Sequence, residues 1–284
     1  MAEQVYINGE LVERGDARVS AFDRGLLYGY GFFETMRSYG GRVFCIDRHL
    51  SRLMRSAGML GIGAALDASG LERAVYDTVS ANELTDARIR LTVTAGEGER
   101  SLSLPAVGEL TTMVVAEDLV LPPPQAYDRG IRAAIVGASR NSRSPMSGLK
   151  SVGYLESLLA RSQAAAAGAE EAVMLNERGL VAECSTSNLF IVASGRLLTP
   201  PVESGILPGI TRDVVLELAS SMGIEASECE VAVADLYVSE EAFITNSVIE
   251  ILPIVEVDKK PIGPGKPGAV TARLSRAYKE LAGC

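Results

Sequence analysis

The sequence predicts an α+β protein built as two lobes, a smaller N-terminal α/β lobe and a larger C-terminal one. Three observations carry that prediction. Strand-like and helix-like segments are segregated along the chain rather than strictly alternating, which favours α+β over a doubly wound sheet. The run Pro122-Pro123-Pro124 interrupts regular structure near the middle. The 284 residues are 47% hydrophobic and 22% charged, an ordinary globular balance. A chain of this length buries roughly 70–75% of its unfolded surface. The division reads as a first lobe over 1–117, a linker over 118–130 and a second lobe over 131–284.

The first lobe opens with a hairpin signal, Val5 to Val12, in which Asn8-Gly9 supplies the turn. Residues 32–46 read as two strands around Gly40-Gly41. Asp47 is placed to cap a helix whose apolar positions Leu50, Leu53, Met54 and Ala57 recur at helical spacing. A second helix is expected over Leu71–Val79. The alternating, β-branched stretch Arg88–Thr94 is a strand, with Leu110–Ala116 its expected neighbour.

The second lobe begins with a strand over Ile131–Gly137, then a loop, then a helix over Ser151–Ala167 with Lys150 at its mouth. An antiparallel meander should follow through Ala172–Asn176, Leu180–Cys184, Asn188–Ala193 and Leu197–Thr199. Thr211–Met222 is a helix with apolar positions Val214, Val215, Leu218 and Met222, and Gly223 closes it. Strands near 229–233, 242–246 and 251–257 precede a last helix at 268–281.

A formal net charge of −9 argues against a general binder of nucleic acid or anionic membrane. The N-terminus lacks the basic-then-apolar pattern of a secretory signal, and no apolar run approaches the length of a membrane span. Cys45, Cys184, Cys229 and Cys284 are scattered, and the chain has a single histidine, so a zinc site is not expected. A cytoplasmic setting with free thiols is the expectation.

Three features suggest chemistry. Lys150 is a lone amine among Gly148, Leu149, Val152 and Gly153. At a helix N-terminus its pKa should fall, as an imine-forming lysine requires, although an exposed first-turn lysine is the commoner reading. Glu183 is a charge inside an otherwise uncharged strand; it suits either a structural salt bridge or a partner for a pyridinium nitrogen. The turn Leu207-Pro208-Gly209 runs into a helix, so the amides of Ile210 and Thr211 would suit a phosphate, where the plain alternative is a tight turn with a cap.

Taken in order, Lys150, Tyr154, Glu183, Ser187-Asn188-Leu189-Phe190, Gly205 to Arg212, and Phe243-Ile244-Thr245-Asn246-Ser247 with Pro253 resemble the class IV, or fold type IV, pyridoxal-phosphate enzymes. That group includes branched-chain aminotransferases, D-amino-acid aminotransferases and aminodeoxychorismate lyases. Asp23-Arg24-Gly25, Phe33-Glu34-Thr35 and Arg48 opening Arg-His-Leu-Ser-Arg-Leu extend the resemblance over essentially the whole chain.

The resemblance implies pyridoxal 5'-phosphate as cofactor, held in a cleft between the lobes. Lys150 would capture the aldehyde and, once freed by substrate, carry the proton between Cα and the cofactor's C4′. Tyr154, one turn along the same helix, would bond the cofactor's phenolic oxygen. Glu183 would pair with the ring nitrogen, and Leu207 would pack on the ring. Arg48, Ile210, Thr211 and Ser247 would take the phosphate. Phe33, Arg90, Asn246 and Val248 would face the substrate, whereas His49 is structural or a surface residue. A homodimer is implied, with amino acids and 2-oxo acids as small-molecule partners.

Within the family the residues point more than one way. The turn Thr94-Ala95-Gly96 lacks the arginine typical of D-amino-acid enzymes, although Arg100 is nearby in sequence. Arg90 fits branched-chain enzymes and lyases alike. Asn246-Ser247 and Phe32-Phe33-Glu34-Thr35 are lyase-like. The leading expectation is transfer of an amino group from an apolar or branched L-amino acid to a 2-oxo acid such as 2-oxoglutarate. The alternatives are aminodeoxychorismate lyase and D-amino-acid aminotransferase.

Overall fold

The computed structural model describes residues 3–98 and 109–283, so Arg100 and Cys284 lie outside the described residues. Its contacts divide into two compact units, 1–120 with 149–153, and 121–148 with 154–284. The short segment carrying Lys150 therefore belongs with the first unit, although it lies far from the rest of that unit in sequence.

In the first unit, β1 (Gln4–Ile7) and β2 (Glu10–Glu13) form the expected hairpin. Asn8 and Gly9 take φ of 49° and 104°, the left-handed pair that such a turn needs. A short helix α1 (Arg24–Tyr28) precedes β3 (Gly31–Tyr39), β4 (Arg42–Val43) and α2 (Ile46–Met59). Next come α3 (Ala68–Ala81), β5 (Ala87–Thr94) and β6 (Thr111–Asp118). The six strands form an antiparallel sheet in the order β2-β1-β6-β5-β3-β4.

Strand alternation sorts β3 by face. Phe32 and Met36 join Leu53, Ala57, Val75, Ile89 and Leu91 in the core beneath the helices. Phe33 and Thr35, which pair with Thr92 and Arg90 on β5, lie on the other face. Asp47 does not cap α2: the cap is Cys45, at φ 53°, and Asp47 sits in the first turn. A carboxylate there still complements the helix dipole.

The second unit holds α4 (Pro124–Arg129), β7 (Ile131–Arg140), α5 (Leu155–Ala166), β8 (Glu171–Asn176) and β9 (Leu180–Cys184). It continues with β10 (Asn188–Ala193), β11 (Arg196–Thr199), α6 (Ile210–Ser221), β12 (Ala226–Glu228), β13 (Val231–Ala232) and α7 (Val233–Val238). The last elements are β14 (Glu241–Asn246), β15 (Glu250–Val257), β16 (Lys260–Pro261) and α8 (Ala269–Ala282). A ten-stranded mixed sheet runs β12-β11-β10-β14-β15-β7-β8-β9-β13, with β16 on β15.

Three expectations need revision. The segment read as a linker contains α4, because Pro124 stands at the first helical turn, where its missing N–H costs nothing. The stretch from β8 to β11 is not one meander. β10 pairs with β11 and β14, while β9 pairs with β8 and β13. Leu189, Phe190, Ile191 and Val192 are all buried, so both faces of β10 are covered and the backbone groups along both edges need strand partners; a reading of local order cannot see the distant one.

The third revision concerns the helix expected from Ser151. It begins at Leu155, because the preceding residues spend their backbone groups on β3: Phe33 N donates to Lys150 O (2.9 Å) and Val152 N to Gly31 O (3.0 Å). Lys150 is thus neither in a helix nor at its first turn. The dipole argument for its amine falls away, and so does the idea that Tyr154 shares its helix; Tyr154 is the cap of α5.

Candidate active site

In the first unit, β3 positions the lysine. Besides the two backbone hydrogen bonds, Ser151 forms an antiparallel bridge with Phe32. Lys150 is half-buried, and its Nζ stands 4.7 Å from the centroid of the Phe33 ring. The Arg90 guanidinium lies 3.6 Å from the same ring centroid, and its Nε donates to Thr92 Oγ1 at 3.3 Å. Phe33 is 2% exposed, so these cations meet a desolvated ring, where each such contact is worth about 0.5–2 kcal/mol. The Phe33 ring thus brings Lys150 and Arg90 together.

On the opposite face of β3 lies a cluster that sequence reasoning missed. Glu34 is fully buried and accepts from Arg52 Nε (2.8 Å) and Nη2 (2.6 Å), while His49 Nδ1 lies 2.7 Å from its Oε2. Burial alone would raise the Glu34 pKa; the charge and hydrogen bonds of Arg52, with help from His49, outweigh it and hold the carboxyl at about 2. Burial lowers the His49 pKa, and the nearby charges of Arg52 and Lys150 add to that against the pull of Glu34. The ring is a neutral, buried group, so the surface alternative for His49 is excluded. Arg48 is half-buried on the same helix, one turn before Arg52. The visible signal was an i, i+3 pair, His49 and Arg52, facing a strand glutamate.

In the second unit, Glu183 is 8% exposed near the end of β9. Its Oε1 meets Arg140 Nε at 3.0 Å, and its Oε2 accepts from the Leu207 amide at 3.0 Å. The salt-bridge reading of this residue is therefore realised, and it coexists with direct attachment to the Leu207 turn. Asn188 Nδ2 donates to Leu207 O (2.9 Å), fixing the turn from the other side. The turn feeds α6, whose cap residue Gly209 has no side chain with which to cap the first-turn amides. A Cβ on Gly209 would collide with Asn188 Oδ1, which explains glycine there. Arg212 anchors the first turn of α6, donating to Pro200 O (2.9 Å) and pairing with Glu228 (2.7 Å).

Asn246 has a turn-forming part: its Oδ1 accepts from Val248 N and Ile249 N, both at 2.9 Å, with Ser247 in the resulting loop. Tyr154 and Ser247 are half-buried. The first unit offers an amine paired to a strand edge; the second offers, within itself, a carboxylate held at both oxygens beside a helix start whose cap is glycine. These are the groups that an aldehyde, a ring nitrogen and a phosphate would need.

The amino-transferase class IV family profile matches residues 31–257. A protein of Methanocaldococcus jannaschii, provisionally a branched-chain-amino-acid aminotransferase, is 41% identical over 279 residues, 98% of this chain and 96% of its own length. The crystal structure of the branched-chain amino acid aminotransferase of Escherichia coli superposes with a TM-score of 0.94 at 33% identity, covering 99% of this chain and 95% of that one. The T.th. branched-chain amino acid aminotransferase complexed with N-(5'-phosphopyridoxyl)-L-glutamate superposes with a TM-score of 0.91 at 30% identity, covering 99% and 94%.

Proposed function

Because the chain belongs to the class IV aminotransferase family, we propose that it is a pyridoxal-phosphate-dependent transaminase of branched-chain or other apolar L-amino acids, with a 2-oxo acid as acceptor. The observation that carries this reading is the bond from the Leu207 amide to Glu183. One turn presents a buried carboxylate and then runs directly into the uncapped start of α6. A ring nitrogen and a phosphate on one small molecule call for that combination.

Pyridoxal phosphate, when bound, supplies an electron sink for the bonds at the substrate's Cα. Lys150 would hold the cofactor through its aldehyde carbon, and its freed amine would carry a proton from the substrate's Cα to that carbon and, in the acceptor half-reaction, back again. Glu183 would keep the ring nitrogen protonated. The Ile210 and Thr211 amides, with Ser247, would bear the phosphate, and α2 would contribute an arginine. Arg48 is the sequence candidate, and the burial of Arg52 makes it the second. Tyr154 would bond the phenolic oxygen and Leu207 would cover the ring. Phe33 and Arg90 meet the substrate, Arg90 through its carboxylate, with Asn246 and Val248 shaping the loop.

The protein acts as a homodimer in the cytoplasm. Support for the dimer is a stripe on α5, where Leu155, Leu158 and Leu159 are 81%, 62% and 54% exposed. No helix among the described residues is long and apolar enough to cross a membrane, and Cys45, Cys184 and Cys229 are free thiols.

Incubation with L-leucine and 2-oxoglutarate tests the activity: glutamate should form, and Lys150→Ala should lower its rate by a factor on the order of 10⁴ or more. Release of pyruvate and p-aminobenzoate from aminodeoxychorismate, with no glutamate from leucine, would replace this reading by the lyase.

A further inference from the structure

Arg140, the last residue of β7, makes more well-placed contacts in the second unit than its position at a strand end requires. Its Nε meets Glu183 Oε1 at 3.0 Å and also donates to Gly205 O at 3.1 Å. Nη1 pairs with Glu156 Oε2 at 2.7 Å, and Nη2 donates to Ser147 O at 2.6 Å. Each edge of the guanidinium fork is therefore used, and the side chain is 16% exposed.

The groups it joins are not neighbours in sequence. Ser147 closes the loop that begins at Asn141, donating its hydroxyl to Asn141 O at 2.6 Å, and it stands three residues before Lys150. Gly205, at φ 86°, begins the turn that brings the Leu207 amide to the other oxygen of Glu183. That turn lies tight against the 141–147 loop: a Cβ on Gly205 would come within 2.8 Å of Ser142 Cα. Nothing but a long, planar, multiply donating side chain could serve the carboxylate, both carbonyls and Glu156 at once; a lysine offers a single nitrogen.

We propose that Arg140 is a positioning residue for the transaminase reaction, setting the orientation of the Glu183 carboxylate and fixing the loop that leads to Lys150. The proposal rests on the functional reading above. Arg140 acts through Glu183: with the fork in place, one carboxylate oxygen is held by Arg140 and the other by Leu207, so the carboxylate plane cannot rotate. Without it, Glu183 loses the charged partner at Oε1 while the Leu207 amide still holds Oε2, and the Ser147 carbonyl loses the Arg140 donor. Misplacement of about 1 Å in such a supporting group costs up to about 100-fold in rate.

The test compares Arg140→Met, Arg140→Lys and Glu156→Gln with the parent protein, each reconstituted with pyridoxal phosphate. Four quantities are read: borohydride trapping of the cofactor on Lys150, the cofactor dissociation constant, the pH titration of the visible cofactor band, and kcat and KM. In Arg140→Met the dissociation constant should rise about tenfold, the titration midpoint should move, and kcat should fall about 10- to 100-fold while KM stays within about threefold. Arg140→Lys should show the same defects in smaller measure, and Glu156→Gln should stay within about twofold of the parent. Parental titration, cofactor affinity and kcat in Arg140→Met overturn the proposal. If that variant does not fold, parental values in Arg140→Lys overturn it equally. Failure to trap cofactor in the parent protein itself sinks the functional reading instead.

Discussion

The Phe33 amide donates to the Lys150 carbonyl at 2.9 Å, and the Phe33 ring lies 4.7 Å from the ammonium of that same lysine. One residue thus restrains both ends of Lys150, the backbone by a hydrogen bond and the amine by a ring face. The two restraints are separable. Phe33→Leu keeps the first and removes the second, together with the stacking surface of Arg90. Borohydride trapping at Lys150 should persist in this variant. The kcat/KM for L-leucine should fall about tenfold, mainly through KM, because the Arg90 guanidinium loses its support. Loss of trapping would show that the ring, not the strand pairing, places the amine.

The buried Glu34–His49–Arg52 cluster makes stability depend on pH in a defined direction. Both titrating members have folded-state pKa values below their ordinary ones, Glu34 at about 2 against 4.5 and His49 below 6.5. The folded protein therefore binds fewer protons than the unfolded chain in this range. The stability they contribute is present above 6.5, begins to fall as His49 in the unfolded chain gains its proton, and falls further from about 4.5 to about 2. Urea midpoints measured across this range should fall as pH falls. Glu34→Gln should cost about 3–5 kcal/mol at neutral pH, since Arg52 is left buried without its charge partner, and should flatten the curve below 4.5. An unchanged slope there would assign the acid sensitivity to other groups.

The leucine stripe on α5 bears on assembly. Leu155, Leu158 and Leu159 follow the i, i+3, i+4 spacing of one helix face, yet all are more than half exposed. On α1, Leu26 is 70% exposed as well. Sedimentation velocity at micromolar concentration should give twice the chain mass for the parent protein. Leu155→Glu with Leu158→Glu should shift it to the monomer, because charge cannot be buried in an apolar self-contact without a partner. A monomeric parent protein would remove the dimer from the proposal.

Much of this was legible in the residues, and the failures share a cause. The Asn8-Gly9 hairpin, β5 and α6 follow from turn chemistry and periodicity within a few residues, and the structure places them within one or two positions of expectation. Lys150 and Glu183 stood out because a lone amine and a strand carboxylate break the local pattern. What could not be read was every feature decided by a distant partner. Residues 150–152 have helix-forming neighbours but are claimed by β3, over a hundred positions away. β10 takes β14 rather than its neighbour in sequence, β9. Arg140 looked like a loop residue because its acceptors, Glu183 and Gly205, come together only through the sheet.

The turn before α6 allows the sharpest test of the phosphate assignment. Gly209 has φ −78° and ψ 134°, a conformation open to any residue, so its backbone does not require glycine. The requirement is spatial: a methyl group there would strike Asn188 Oδ1, and Asn188 is the residue that holds Leu207 O at 2.9 Å. Gly209→Ala should therefore displace the Asn188 side chain, loosen the Leu207–Gly209 turn and weaken retention of pyridoxal phosphate about tenfold, with little change in the melting of the cofactor-free protein. Asn188→Ala clears the space but also removes the tie to Leu207 O, so it should carry a similar defect of its own. If both act through that one tie, Gly209→Ala added to Asn188→Ala should cost almost nothing more. A double-mutant cycle on cofactor affinity measures this directly. Full additivity of the two losses would mean that the glycine serves the phosphate by some route other than Asn188.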